Sequence, residues 1–162
     1  MTAGINIYNV EPLGAPLGQY SHMSRGTASE YLFLAGMLSA DKDGNIIGVR
    51  DFQAQCAQVF ANVETALASA DANFSNVVSF TTYMTHSQSI PEFMEYRLSE
   101  FPKMFPSGIY PPNTLLMVDR LVHEDFLVEV QATAAIRGAA AAVSTPMKYS
   151  ESFMPPLPKG TG

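Results

Sequence analysis

The sequence of 162 residues has one cysteine, no tryptophan and few charged residues. With Cys56 alone, the chain cannot form an intrachain disulfide or a cysteine-based metal site. Its three histidines, His22, His86 and His123, lack the spacing of metal ligands, so no metal site is expected. No apolar run reaches ~18 residues, and the N-terminus lacks the pattern of a signal peptide. These absences predict a soluble, cytoplasmic protein with no membrane partner.

Cationic residues are also scarce. The chain has 9 Lys and Arg against 15 Asp and Glu, which gives a net charge of −6. Nucleic-acid affinity comes mainly from cations that neutralise phosphates, so a nucleic-acid ligand is not expected. By contrast, 47% of the residues are hydrophobic and only 15% are charged. A surface with so little charge favours burial against a partner, because obligate oligomer interfaces resemble a domain core cut in half.

The hydrophobic pattern predicts two helices and five strands. The clearest helix covers 51–70, where apolar residues recur with the helical period and Asp51 suits the N-cap. A second helix is predicted over 89–101, with Ser89 as a cap and Pro91 in the first turn. Strands are predicted at 19–25, 30–38, 76–85, 114–121 and 126–136. The order β-β-α-β-α-β-β predicts an α+β domain, a mixed sheet with both helices on one face.

The chain length fits a single domain with flanking segments. We expect an irregular N-terminal arm over 1–14, a folded domain over 15–137 and a C-terminal tail over 138–162. The tail lacks a periodic core pattern but contains the segment MPPLP at 154–158. That segment either covers a cleft of a neighbouring subunit or has no fixed position.

Six phrases follow one another along the chain: LGQY (17–20), YLFLAGMLSADKDGNIIG (31–48), DFQAQCAQVFANVETALASADANFSNVVSFTTYMT (51–85), FMEYRLSEFP (93–102), YPPNTLLMVDRL (110–121) and FLVEVQATAAI (126–136). In this order they resemble the RidA/YjgF family of reactive-intermediate deaminases, over roughly residues 15–137. The resemblance implies a chorismate-mutase-like fold and a homotrimer with a barrel-like core and a small-molecule cleft at each subunit boundary. It also implies hydrolysis of imines and enamines to a keto acid and ammonia, without a metal or other cofactor.

The chain departs from this family at the start of the fourth predicted strand. The resemblance implies an arginine there, because a guanidinium fork matches a substrate carboxylate in geometry and charge. Here the position holds Asn113, an amide that donates hydrogen bonds without charge, followed by Thr114 in place of a small hydroxyl residue. Ala35 stands where serine is frequent, and Met94 where asparagine is frequent. The implied ligand pocket is therefore less cationic and less polar.

Glu129 and Tyr20 match residues of the family, and three further residues are candidates by their position. Glu129 matches a glutamate that positions the attacking water, where it would act as general acid and base; the alternative is a hydrogen bond between subunits. Tyr20 matches a cleft tyrosine that either orients a ligand or packs at a subunit edge, and Gly36 allows close approach to the backbone. Tyr110 either walls the cleft or packs in the core. Arg120 either binds an anion or pairs with a nearby acid.

Two functions from different classes remain open. The first is a deaminase-like hydrolase of small imines, enamines or related nitrogen metabolites that releases ammonia. The alternative is a trimer that binds a small metabolite without turning it over. A ribonuclease or translation-inhibitor role ranks last, because the chain is acidic and has no basic patch.

Overall fold

A computed structural model describes residues 4–136 of the protein. Residues 1–3 and 137–162 lie outside the described part, and with them the predicted tail over 138–162. The described part contains six strands and two helices: β1 (Asn6–Tyr8), β2 (Met23–Arg25), β3 (Glu30–Phe33), α1 (Phe52–Ala68), β4 (Val77–Met84), α2 (Ile90–Met104), β5 (Asn113–Met117) and β6 (Val128–Ile136). None of these helices is long and apolar enough to cross a membrane.

Four strands form one mixed sheet in the order β3-β6-β4-β5. Strand β5 runs parallel to β4, whereas the other two pairs are antiparallel. The helices α1 and α2 pack on one face of this sheet and share a single hydrophobic core with β4 and β6. The predicted α+β architecture is therefore confirmed.

The N-terminal segment is more regular than the sequence suggested. Strand β1 lies within the segment expected to be irregular, and it pairs antiparallel with β2, so that Asn6 is opposite Arg25 and Tyr8 opposite Met23. The first predicted strand is thus found, but it belongs to a separate two-stranded sheet instead of the main one. A strand of three residues is too short for a period-2 pattern to be recognised.

Both helices begin where predicted. The Asp51 side chain accepts a hydrogen bond from the Ala54 backbone N–H at 3.0 Å, which confirms the N-cap. Ser89 is the N-cap of α2 by position, but its side chain makes no capping hydrogen bond. Pro102 does not end α2, which continues to Met104. The carbonyl left without a donor is that of Leu98, whose side chain is 63% exposed, so this end of the helix faces solvent.

The core is built around an aromatic cluster between the helices and the sheet. The ring of Phe60 on α1 lies 5.9 Å from Phe80, 5.6 Å from Tyr96 and 5.4 Å from Phe101 between centroids. Cys56, on the same helix face, is fully buried, and burial raises the pKa of its thiol. Cys56 is therefore a core residue.

The opposite face of the main sheet is covered by no helix of the described part. Tyr31 and Phe33 on β3 point to this open face, where they are 50% and 79% exposed and their rings stack at 6.4 Å. Glu129 and Gln131 on β6 share the face, since they alternate with the buried Val128 and Val130. The open face therefore combines exposed aromatic rings with the principal catalytic candidate.

Candidate active site

A β-bulge lies beside Glu129. The Leu34 N–H donates to the Ala132 carbonyl at 2.9 Å, and the Met37 N–H donates to the Val130 carbonyl at 2.8 Å. Between these two hydrogen bonds the chain after β3 advances three residues, from 34 to 37, whereas β6 advances two. One extra residue therefore lies at positions 35–36. This bulge ends β3 at Phe33, earlier than the predicted limit of 38.

Gly36 in the bulge makes room for the Glu129 carboxylate. A Cβ atom at position 36 would overlap Glu129 Oε1 and would come within 2.8 Å of its Cγ. Any residue larger than glycine would therefore displace the carboxylate or the backbone. The sequence predicted close approach at Gly36, and in the structure the approaching group is this side chain. Its neighbour Ala35 is exposed.

The Glu129 carboxylate has no hydrogen-bond partner among the described residues. Its carboxyl group is half-buried, and this burial raises its pKa above the ordinary value of 4.5. Tyr83 on β4 is its partner in register, and the Tyr83 hydroxyl donates instead to Gln131 Oε1 at 3.4 Å. A carboxyl group with a raised pKa and free lone pairs is suited both to accept and to donate a proton.

Asn113 lies on the other side of the sheet. It is opposite the buried Phe80 in the parallel β4-β5 pair, and its Oδ1 accepts a hydrogen bond from the Thr82 hydroxyl at 3.1 Å. Thr114 is exposed and faces the open side. The side chains of Asn113 and Glu129 within one copy of the chain therefore do not meet, because they lie on opposite faces of the sheet.

Tyr20 and Met94 meet around the turn at residues 17–20. The Tyr20 hydroxyl accepts a hydrogen bond from the Leu17 N–H at 3.2 Å, which closes this turn. Met94 on α2 packs directly on Gly18, since a Cβ there would lie 2.5 Å from Met94 Cε. Tyr20 is half-buried, so its ring remains partly accessible beside the helix.

The two remaining candidates stand apart from these groups. Tyr110 packs against Phe101 and Phe105, with ring centroids at 6.1 and 6.0 Å, which agrees with a core role. Arg120 is exposed, and its Nε donates to the adjacent Leu121 carbonyl at 3.3 Å. Within residues 4–136 it forms no ion pair with a neighbouring acid.

The sequence analysis missed Arg97, which is only 3% exposed. Its guanidinium lies over the rings of Phe101 and Phe93, at 4.8 and 5.5 Å from their centroids. Its Nη2 donates to the Gln19 backbone carbonyl, and burial lowers its pKa to about 10. The spacing of Phe93, Arg97 and Phe101, four residues apart, was the available signal, because it places a cation between aromatics on one helix face.

No metal site and no further catalytic cluster is evident in the described part. It contains no group of three His, Cys, Asp or Glu side chains that could hold a metal ion. A cavity of about 560 Å³ lies between β1, the turn at 74–76 and the segment 104–109. None of the predicted site residues lines this cavity, which is mainly apolar.

Comparisons with known proteins place these observations in a family. The family model described as endoribonuclease L-PSP matches residues 11–136. A RutC family protein of Pyrococcus horikoshii is 27% identical over 119 residues, which cover 74% of this chain and 88% of that protein. The crystal structure of the Rid family protein YyfB from Yersinia pestis, of unknown function, superposes with a TM-score of 0.73 at 25% identity, over 82% of this chain and 98% of that one. A putative endoribonuclease of Thermotoga maritima shares the fold, with a TM-score of 0.58 at 17% identity over 82% and 98% of the two chains.

Proposed function

The chain belongs to the endoribonuclease L-PSP family, which includes the RidA/YjgF proteins, and on this basis we propose that it is a deaminase-like hydrolase. Its substrates are small imines, or enamines that tautomerise to imines, and its products are a carbonyl compound and ammonia. The proposal rests on the environment of the Glu129 carboxyl group. This group is half-buried and makes no hydrogen bond to a described residue, and burial raises its pKa.

The reaction needs one group that moves a proton twice. Glu129 takes a proton from water as the water oxygen attacks the imine carbon, and the C=N bond becomes a C–N single bond. Glu129 then returns the proton to the nitrogen, which gives a carbinolamine. It next takes the hydroxyl proton of the carbinolamine and passes it to the same nitrogen, so that the C–N bond breaks and ammonia leaves as the carbonyl forms. The sum is one imine and one water to one carbonyl compound and one ammonia. A raised pKa suits this exchange, because a group works best as acid and base when its pKa is near the working pH.

We further propose that the site is completed between copies of the chain in a homotrimer. Two observations support this proposal. The open face exposes Tyr31 and Phe33, and large exposed apolar groups on one face favour burial against a partner. In addition, Asn113 and the Tyr20 turn lie away from the open face that carries Glu129, so a ligand touches both sides only across a boundary between copies.

Ammonia release from a panel of freshly generated imines tests the hydrolase proposal. The panel contains carboxylated and uncharged members, and the protein is compared with Glu129→Gln, which keeps the size of the side chain but cannot exchange the proton. The control is Glu124→Gln, which removes an equal charge from an exposed position. We expect at least about a 100-fold loss of kcat in Glu129→Gln and no loss in the control. Equal turnover by Glu129→Gln would exclude the proposed role.

The second candidate is a trimer that binds a small metabolite without turnover. It is favoured by the Asn113 side chain, whose oxygen is occupied by Thr82 and which supplies no charge. Under this alternative, the native protein releases no ammonia from any imine, yet a small carbonyl compound raises its Tm.

A further inference from the structure

Arg97 is a buried cation without an anion. It is 3% exposed, and no carboxylate of the described residues forms an ion pair with it. Removing a charge from water is unfavourable unless an opposite charge and hydrogen bonds replace the lost solvation. The rings of Phe93 and Phe101 compensate in part through cation–π contacts. The guanidinium nevertheless lacks the counterion that a purely structural arginine in a core normally has.

Hydrogen bonding at Arg97 is also incomplete. Its Nη2 donates to the Gln19 backbone carbonyl, but its buried Nε has no partner in the described part. The side-chain Oε1 of Gln19 is likewise buried and without a partner. Two unsatisfied buried polar atoms therefore belong to one pair of touching residues. Native structures rarely leave such atoms unpaired, and a bound ligand is one of the explanations for them.

The surroundings of Arg97 include a predicted site residue. The turn at 17–20 lies over the guanidinium, since Gln19 accepts its hydrogen bond and Gly18 packs on Met94, one helical turn before Arg97. Tyr20 is near enough to interact electrostatically with Arg97, which offsets part of the lowering of the Arg97 pKa by burial. Leu17, the first residue of the turn, is exposed. Its N–H donates a hydrogen bond to the hydroxyl of Tyr20, the last residue of the turn. A ligand can therefore reach Arg97 beside Tyr20 only if this turn moves.

We propose that Arg97 is the anion-binding residue of the site and supplies the positive charge that Asn113 lacks. It binds a compact oxyanion of the ligand, such as a carboxylate. The oxyanion accepts one hydrogen bond from the free Nε of Arg97 and another from the side-chain NH2 group of Gln19, once that amide has rotated by half a turn. The proposal rests on the hydrolase function for its substrate, an imine that carries an oxyanion. Because Arg97 lies on the helix side of the sheet, the reacting carbon reaches Glu129 of a neighbouring copy.

Kinetics of Arg97→Met provide the first test, because methionine fills a similar volume without charge. The substrates are the imine of 2-oxobutanoate and the imine of its ethyl ester, which differ in the negative charge. We expect KM for the carboxylated imine to rise at least about tenfold in Arg97→Met, with kcat and the ester kinetics unchanged. The control Arg25→Met removes an exposed arginine of β2 and should leave both KM values unchanged. An unchanged KM for the carboxylated imine in Arg97→Met would overturn the proposal.

Binding measurements keep this inference separate from the hydrolase proposal. Calorimetric titration with 2-oxobutanoate, its ethyl ester and inorganic phosphate requires no turnover. We expect the native protein to bind the keto acid but not the ester, and Arg97→Met to lose that binding even if neither protein releases ammonia. Binding of phosphate as well would mean that Arg97 binds oxyanions in general.

If Arg97→Met does not fold, Arg97→Lys replaces it, with weakened binding expected because ammonium lacks the planar fork. Retained affinity in the variant, or no binding of the keto acid by the native protein, would overturn the proposal.

Discussion

At the residue scale, the site depends on the contact between Gly36 and Glu129. Glycine at the bulge leaves the volume that the carboxylate occupies, and a methyl group there would overlap it. The alternating pattern of the β6 sequence puts Glu129 on one face with Gln131 and Thr133, and this is the face they share in the structure. It could not show that Gly36 serves the glutamate, because the bulge depends on the register between two strands far apart in sequence.

Gly36→Ala should reduce catalysis more than it reduces stability. The added methyl group displaces the Glu129 carboxylate, so we expect kcat for ammonia release to fall at least about tenfold, or ~1.4 kcal/mol of transition-state stabilisation. Ala61→Ser, at an exposed position of α1 outside the site, should keep the native kcat. Equal kcat in Gly36→Ala and in the native protein would contradict a role for this contact.

The raised pKa of Glu129 predicts a pH-dependent stability difference. Between the ordinary value of 4.5 and the higher folded pKa, the folded state binds more protons than the unfolded state, so the free energy of unfolding falls as pH rises. Glu129→Gln has no such term. Urea denaturation should therefore show Glu129→Gln to be more stable than the native protein at pH 7.5, with the difference shrinking towards pH 4. A variant less stable than the native protein at pH 7.5 would refute the unfavourable burial of this charge.

At the scale of elements, long periodic segments were predictable and irregularities were not. The buried face of α1 follows from helical spacing, and its cap follows from the aspartate at position 51. Strand β4 shows the opposite case: a register shift between Val77 and Ser79 changes which valine faces the core. Strict alternation would put Val78 on the same face as Phe80, whereas Val77 is the buried residue, at 1% exposure. Arg97 was missed for a related reason, because only tertiary packing shows that a charged helix residue is buried.

Two truncations on β4 distinguish this register from strict alternation. Val77→Ala removes two methyl groups from the core and should lower the free energy of unfolding by about 2 kcal/mol. Val78→Ala, at the half-buried neighbour, should lower it by less than about 1 kcal/mol. Urea denaturation of both variants gives the comparison. A larger loss in Val78→Ala would mean that the alternating register is correct.

At the scale of the whole molecule, the open sheet face is the basis of the proposed trimer. Light scattering coupled to size exclusion should give three times the chain mass of 17.6 kDa. Phe33→Glu places a charge on the open face and should shift the protein towards the monomer. Leu98→Glu changes an exposed leucine on the solvent side of α2 and should leave the trimer intact. A monomeric native protein, or a trimeric Phe33→Glu, would contradict the proposed interface.

The pH dependence of kcat for ammonia release is the most direct test of the central claim, that Glu129 transfers the proton in imine hydrolysis. Native protein and Glu129→Gln are compared on the same uncharged imine, with the spontaneous hydrolysis rate subtracted at each pH. We predict a native kcat that rises with pH to a plateau, with its midpoint above 4.5, and a small residual kcat in Glu129→Gln without that midpoint. The same pH profile and the same plateau in both proteins would show that another group transfers the proton.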